Sequence, residues 1–172
     1  MHKNLCHTGL PKRHIEDAAQ SIGAAFQNKM TGTIGDLGCF SLHPLKNLHV
    51  YGDGGLITTN NESFYNQLRL LRNHGLKDRD TCVSWGLNSR LDGIQAKVAT
   101  IGMQYLDQWN IRRREIASLY QRSLMDFVIV PQDGGDYFSV YHNFVILTER
   151  RNDLMHFLEK SGIPLCQDSC RL

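Results

Sequence analysis

Between residues 15 and 55 the sequence reads IEDAAQSIGAAFQNKMTGTIGDLGCFSLHPLKNLHVYGDGG, and the residue in it best placed to do chemistry is Lys46. A lone lysine is ordinarily a solvated charge. Lys46 instead follows a β-like run (residues 38–42) and Pro44, and it precedes the glycine-rich residues 51–55 and a second β-like run, 56–59. A lysine between a strand end and rigid punctuation is aimed. The chemistry that needs an aimed lysine is condensation of its amine with an aldehyde or ketone. Such an amine reacts in its neutral form, which desolvation or a neighbouring cation favours. Pyridoxal 5′-phosphate (PLP) is the common cofactor held in this way, and it makes two further demands. A carboxylate must keep the pyridine nitrogen protonated, and the phosphate needs hydroxyl and backbone N–H donors. Asp17 is the candidate for the first role and Ser41, five residues before Lys46, for the second.

Five ordered segments, IEDAAQ, GTIGDLGCFSLHPLKN, YGDGGLITTN, RLLRNHG and GLNSRLDGIQA, resemble the cofactor-binding segments of the DegT/DnrJ/EryC1/StrS family of PLP-dependent sugar aminotransferases. The likeness runs from about Ile15 to about Ile163. It implies that Lys46 carries the Schiff base, that Asp17 pairs with the pyridine nitrogen, that Gln20 hydrogen-bonds near the ring's O3′ and that Ser41 binds the phosphate. Asn88 would reach the phosphate of the neighbouring subunit's cofactor, which implies a homodimer with shared active sites. The fold implied is α/β, the type I PLP-transferase fold. Residues 1–104 would be the C-terminal part of the large cofactor domain, and 105–172 a linking helix with an incomplete small α/β domain. Sugar dehydratases of the same fold family replace the lysine with histidine, and this chain keeps Lys46.

The elements that must position these residues are visible as periodicities. Residues 32–60 alternate short β-like runs with glycine, as where buried strands deliver loops to a site. Residues 18–25 are small and apolar, suited to a tight turn under a cofactor or to a closely packed helix start. Over residues 62–73, Phe64, Leu68 and Leu71 recur at helical spacing, and His74-Gly75 supplies the stop. Asn88-Ser89 offers an N-cap before Leu91, Ile94, Val98, Ile101 and Tyr105, a stripe expected to be core. The helical pattern continues through Trp109, Ile116, Leu119 and Leu124, with a bend expected at Gly102; a helix of that length joins two lobes. Residues 128–130 and 140–147 read as strands and 152–160 as an amphipathic helix that exits at Gly162-Ile163-Pro164, a small β-β-α lobe. Residues 1–14 show no periodicity, and only His14-Ile15 looks like a strand end. The residues after Pro164 carry no pattern. His43, His49 and His142 read as supporting or packing residues, and Asp53 between glycines as an Asx-type turn.

Composition narrows the class. The chain has 172 residues, 21% charged, with a formal net charge of +2. Arg112-Arg113-Arg114 reads as a solvated helix face, and no nucleic-acid reader motif accompanies it. The cysteines, Cys6, Cys39, Cys82, Cys166 and Cys170, are odd in number and lack paired C-x-x-C spacing, so free thiols in a reducing compartment are expected and no zinc site is. No stretch approaches the length of a membrane span and the first residues lack a signal-peptide apolar run, so the expectation is a cytoplasmic protein.

The function implied is transamination of a nucleotide-linked keto sugar by an amino-acid donor, in the biosynthesis of amino sugars for surface polysaccharide or secondary metabolites. The alternatives are a truncated, non-catalytic piece of such an enzyme and a PLP-binding regulatory member of the family.

Overall fold

The computed structural model describes residues 13–163. They fall into two compact units, one comprising the chain to Arg114 together with 133–142, the other comprising 115–132 and the residues from 143 on. The expectations for Cys6, Cys166, Cys170 and Pro164 lie outside the described residues.

In the first unit, β1 (Ile15–Asp17), β4 (Leu37–Ser41) and β5 (Gly55–Thr58) form one sheet in the order β1-β4-β5. β1 runs parallel to β4 with Ile15, Glu16 and Asp17 opposite Leu37, Gly38 and Cys39. β5 runs antiparallel to β4, pairing Gly38 with Thr58 and Ser41 with Gly55. Both β-like runs read from the sequence are therefore strands. Side chains alternate across a strand, so Asp17, Cys39 and Ser41 share one face, while Glu16, Gly38, Phe40 and Thr58 share the other.

The turn over residues 31–36 lies on that second face. The Glu16 carboxylate accepts from the backbone N–H groups of Gly32 (2.8 Å), Ile34 (2.7 Å) and Gly35 (2.6 Å), and Thr58 Oγ1 donates to Gly32 O (2.6 Å). Gly38 makes this approach possible, because a Cβ there would overlap the Gly32 backbone. Residues 18–24 form turns rather than a helix start, through Ser21 N to Ala18 O and Ala24 N to Ser21 O. They lead into a hairpin absent from the sequence reading, β2 (Ala25–Phe26) and β3 (Lys29–Met30). Gln27 (φ 48°) and Asn28 (φ 62°) take the left-handed conformations of a type I′ two-residue turn. β6 (Tyr137–Phe138) adds to β2, giving a second sheet in the order β3-β2-β6.

Helix α1 (Glu62–Leu71) starts where expected. Asn61 caps it, its Oδ1 accepting from Phe64 N, with Glu62 in the first turn and Arg69 in the last. Helix α2 (Gly93–Met103) starts later than expected, with Asp92 and not Asn88-Ser89 at its N-cap. Asn88 is instead bridged to Asn73. The expected apolar stripe is core only at its start: Leu91, before α2, packs against the core, but Ile94 is 79% exposed, and Ile101 and, just past the helix, Tyr105 are also exposed. The small Ala99 is what joins the core of Leu42, Leu48, Val50 and Leu106. The bend foreseen at Gly102 is a break, since α2 ends at Met103 and α3 (Leu106–Leu124) begins after it. Helix α3 passes from the first unit into the second.

The arginine triplet is not a solvated face. Arg114 pairs with Asp133 (2.6 Å), donates to Ser139 O (2.7 Å) and stacks over Phe138, and Arg113 donates to Tyr141 O and His142 O. The two strands expected over 128–130 and 140–147 reduce to one bridge, Ile129 to Leu147, in the second unit. The bridge bonds run both ways, at 3.0 and 2.9 Å. Helix α4 (Arg151–Lys160) forms as expected, and its exit passes through Gly162.

Candidate functional site

Asp17 ends β1 and Ser41 ends β4, on the same face of two parallel neighbours. The carboxyl ends of parallel strands are where open α/β sheets hold ligands. Asp17 is exposed there, and its Oδ1 accepts from Ala19 N at 3.2 Å. The turn that follows carries Gln20, also exposed. Ser41 Oγ accepts from His43 N at 3.3 Å, and the His43 ring accepts from Leu45 N at 3.2 Å. His43 thus supports the loop, as expected.

Lys46 sits in that loop, partly buried, its backbone N bonded to His43 O at 2.9 Å. The loop leaves and rejoins the sheet through tight anchors. Leu42 N bonds to Gly54 O (2.8 Å) and Val50 N to Leu42 O (2.9 Å), while Leu42, Leu48 and Val50 are fully buried. Each anchor restricts the lysine's base, so the side chain projects from a fixed point. His49 stacks on Trp109 with ring centroids 6.2 Å apart.

Two residues passed over in the sequence complete the loop's support. Asn47, next to Lys46, and Asn110, near the start of α3, are the two buried polar residues of the described part, 5% and 3% exposed. Asn47 Nδ2 donates to Asn110 Oδ1 (2.8 Å) and to Val140 O (3.1 Å). Its Oδ1 meets His142 Nδ1 at 3.2 Å, so His142 makes a polar contact in a loop rather than packing in a strand. The available signal was an amide placed directly after the lysine, and another on an otherwise core-facing turn of a helix.

Glu16 is the titratable group near the site whose behaviour shifts. Partial burial pushes its carboxyl upward, but the N–H groups of Gly35, Gly32 and Ile34 outweigh this and hold it below its ordinary value of 4.5.

Asp17 and Ser41 stand at the C-terminal ends of β1 and β4, and Gln20 and Lys46 on the loops that leave those ends. Asn88 is elsewhere. It lines a cavity of about 1100 Å³ together with Phe40, Leu56, Tyr65 and Arg72, and none of the other four residues lines that cavity. Its Oδ1 accepts from Arg90 Nε at 3.1 Å. The carboxylate, hydroxyl and amine at the strand ends fit the donor set that PLP requires of this part of a protein. Among the described residues, no group of three or more His, Cys, Asp or Glu side chains could hold a metal ion, and no helix is long and apolar enough to cross a membrane.

Comparison with known proteins bears on the fold and the family. The chain is 38% identical over 162 residues to a pleiotropic regulatory protein of Geobacillus stearothermophilus, covering 90% of this chain and 44% of that protein. It is 38% identical over 151 residues to a dTDP-3-amino-3,4,6-trideoxy-alpha-D-glucose transaminase of Streptomyces venezuelae, covering 87% of this chain and 40% of the transaminase. The crystal structure of a DegT DnrJ EryC1 StrS aminotransferase from Brucella abortus superposes with a TM-score of 0.85 at 38% identity, over 87% of this chain and 40% of that one. The chain thus spans less than half the length of each of these proteins, and its α/β fold is part of the transferase fold expected from the sequence. The model of the DegT/DnrJ/EryC1/StrS aminotransferase family matches residues 9–166, and the chain belongs to that family.

Proposed function

We propose that this chain carries the lysine-bearing part of a PLP-dependent aminotransferase that moves an amino group from an amino-acid donor to a nucleotide-linked keto sugar. The observation that carries the proposal is the placement of Asp17 and Ser41 at the ends of adjacent parallel strands on one face, with Lys46 on the anchored loop that follows. When bound, PLP supplies an electron sink for the carbon that bears the amino group. Lys46 would hold the cofactor through its amine, and the same amine, when free, would be the general base at the donor's Cα. Asp17 keeps the ring nitrogen protonated, Ser41 donates to the phosphate, and Gln20 hydrogen-bonds near the ring's O3′. Asn88, on a different part of the surface, serves the phosphate held by a second copy of the chain. A dTDP-sugar transaminase among the similar proteins supports a nucleotide-linked substrate.

A second reading is binding of PLP without turnover, favoured by the name of the Geobacillus regulatory protein. One experiment separates the two. The chain, within a protein of its relatives' length, is loaded with PLP and its visible absorbance followed on addition of glutamate. Bleaching that a keto sugar reverses supports transamination. A stable band that no donor changes supports the regulatory reading, and borohydride-reduced cofactor found on lysines other than Lys46 rejects both.

A further inference from the structure

Asn47 and Asn110 form a polar connection whose direction the structure fixes. Val140 O and Ile22 O can only accept hydrogen bonds, so both amide NH₂ groups must face them: Asn47 Nδ2 donates to Val140 O (3.1 Å) and Asn110 Nδ2 to Ile22 O (3.1 Å). The remaining proton of Asn47 Nδ2 then meets Asn110 Oδ1 (2.8 Å). Turning either amide over would set donor against donor or acceptor against acceptor in a site closed to water. Gly23 belongs to the same arrangement, because a Cβ there would lie 2.5 Å from Asn110 Nδ2.

The connection joins the two strand-end segments that carry the site. Asn47 is covalently next to Lys46, and Ile22 lies in the turn from Ser21 to Ala24 that directly follows the one, Ala18 to Ser21, that holds Gln20. Helix α3, through Asn110, stands between them as the rigid part. An amine and a carboxylate that must meet opposite ends of one planar ring need their loops held at a set separation, and a small displacement of either costs rate steeply. The segments are otherwise tied through β1 and β4, which end before Gln20 and Lys46 begin their turns, and through the non-directional packing of Ile22 against the core of Leu42, Leu48 and Val50.

We propose that Asn110 is a positioning residue that, through Asn47 on one side and Ile22 on the other, sets where Lys46 stands relative to the Asp17–Gln20 turn. The inference rests on Lys46 being the cofactor-bearing lysine. Asn110 touches neither cofactor nor substrate.

The test is the selectivity of cofactor attachment, read on the chain within a protein of its relatives' length. Protein is incubated with limiting PLP and reduced with borohydride, and the labelled lysines are quantified by peptide mass spectrometry. The exposed Lys29, Lys77, Lys97 and Lys160 are internal references. In the parent chain Lys46 takes most of the label; if it takes no more than the references, the reading of Lys46 itself is wrong, independently of Asn110. In Asn110→Ala and Asn110→Ser the ratio of label on Lys46 to label on the reference lysines should fall about tenfold or more. Ala117→Gly, which weakens the same helix at a buried position away from the amides, should lower the melting temperature and leave the share on Lys46 unchanged. Parental selectivity in an Asn110 variant that retains its near-UV circular dichroism overturns the proposal. So does an Ala117→Gly chain that loses selectivity in step with its stability. Loss of the folded signal in both Asn110 variants would show that the amide is needed to fold and not to aim, and would also overturn it.

Discussion

Lys46 and Asp17 carry different burdens, and the difference is measurable. On the proposed function Lys46 both holds the cofactor and moves a proton, so Lys46→Ala in the active protein should reduce turnover by about 10⁴-fold or more and remove the visible band. Asp17 does not bond to the cofactor covalently. Asp17→Ala should keep most of the absorbance while losing most of the rate, because the ring can still be attached but no longer has its nitrogen held protonated. Equal loss of colour and rate would show that the bond from Ala19 N to Asp17 Oδ1 matters for shape instead. The neighbouring Glu16 acts only on stability. Its carboxyl titrates below its ordinary value of 4.5 in the folded chain, so its contribution is complete above that pH and disappears as the pH falls through the lowered folded value. Melting temperatures of the parent and Glu16→Gln should therefore differ most at neutral pH and converge in acid; a constant difference would show that the ionised form has no special role.

The first sheet and the turn over residues 31–36 behave as one element because Gly38 lets the backbone at Gly32 touch the strand. Gly38→Ala has no flexible side chain to push aside and must move either the turn or β4, whose last residue is Ser41. Overpacking of this kind costs about 1–3 kcal/mol. Chemical denaturation should show that loss, and the variant should also hold PLP less tightly, since Ser41, the proposed donor to the phosphate, moves with the strand. Unchanged stability would mean that the turn shifts freely. Helix α1 is the contrasting case. Its cap, charges and apolar positions agree with one another, and it formed where its sequence placed it.

At the scale of the whole chain, much apolar surface stands in water. Ile15 and Ile57 are exposed on the first sheet and Phe127, Ile129, Val145 and Phe157 in the second unit. Among the described residues β1 and β5 each have a single neighbour, β4, whereas sheets with parallel strands are ordinarily covered on both faces. At ~25 cal/mol per Å², every few hundred Å² left exposed forgoes several kcal/mol, comparable with the net stability of an ordinary domain. Expressed alone, these 172 residues should therefore melt shallowly and turn over no keto sugar, even though they contain Lys46, Asp17, Gln20 and Ser41. A cooperative transition, stoichiometric PLP and turnover with glutamate would overturn this expectation.

What the sequence by itself determined was local or carried by motif. The strands at 37–41 and 55–58, helix α1, helix α4 and the break after Gly102 follow from periodicity, caps and glycine within a few residues of one another. The family followed from five ordered segments, which need no knowledge of packing. Tertiary structure decided whatever depends on partners far along the chain. The stripe on α2 has helical spacing but lies exposed, because spacing describes a face and not what covers it. Residues 140–147 are β-prone yet make one bridge, since a strand needs an edge to pair with. Arg114 and Asn110 look alike in sequence as polar residues on one helix, and only the folded chain brings Asp133 to the first and Asn47, 63 residues away, to the second. A hydrogen bond or ion pair is a statement about two positions, and a sequence read one window at a time contains only one of them.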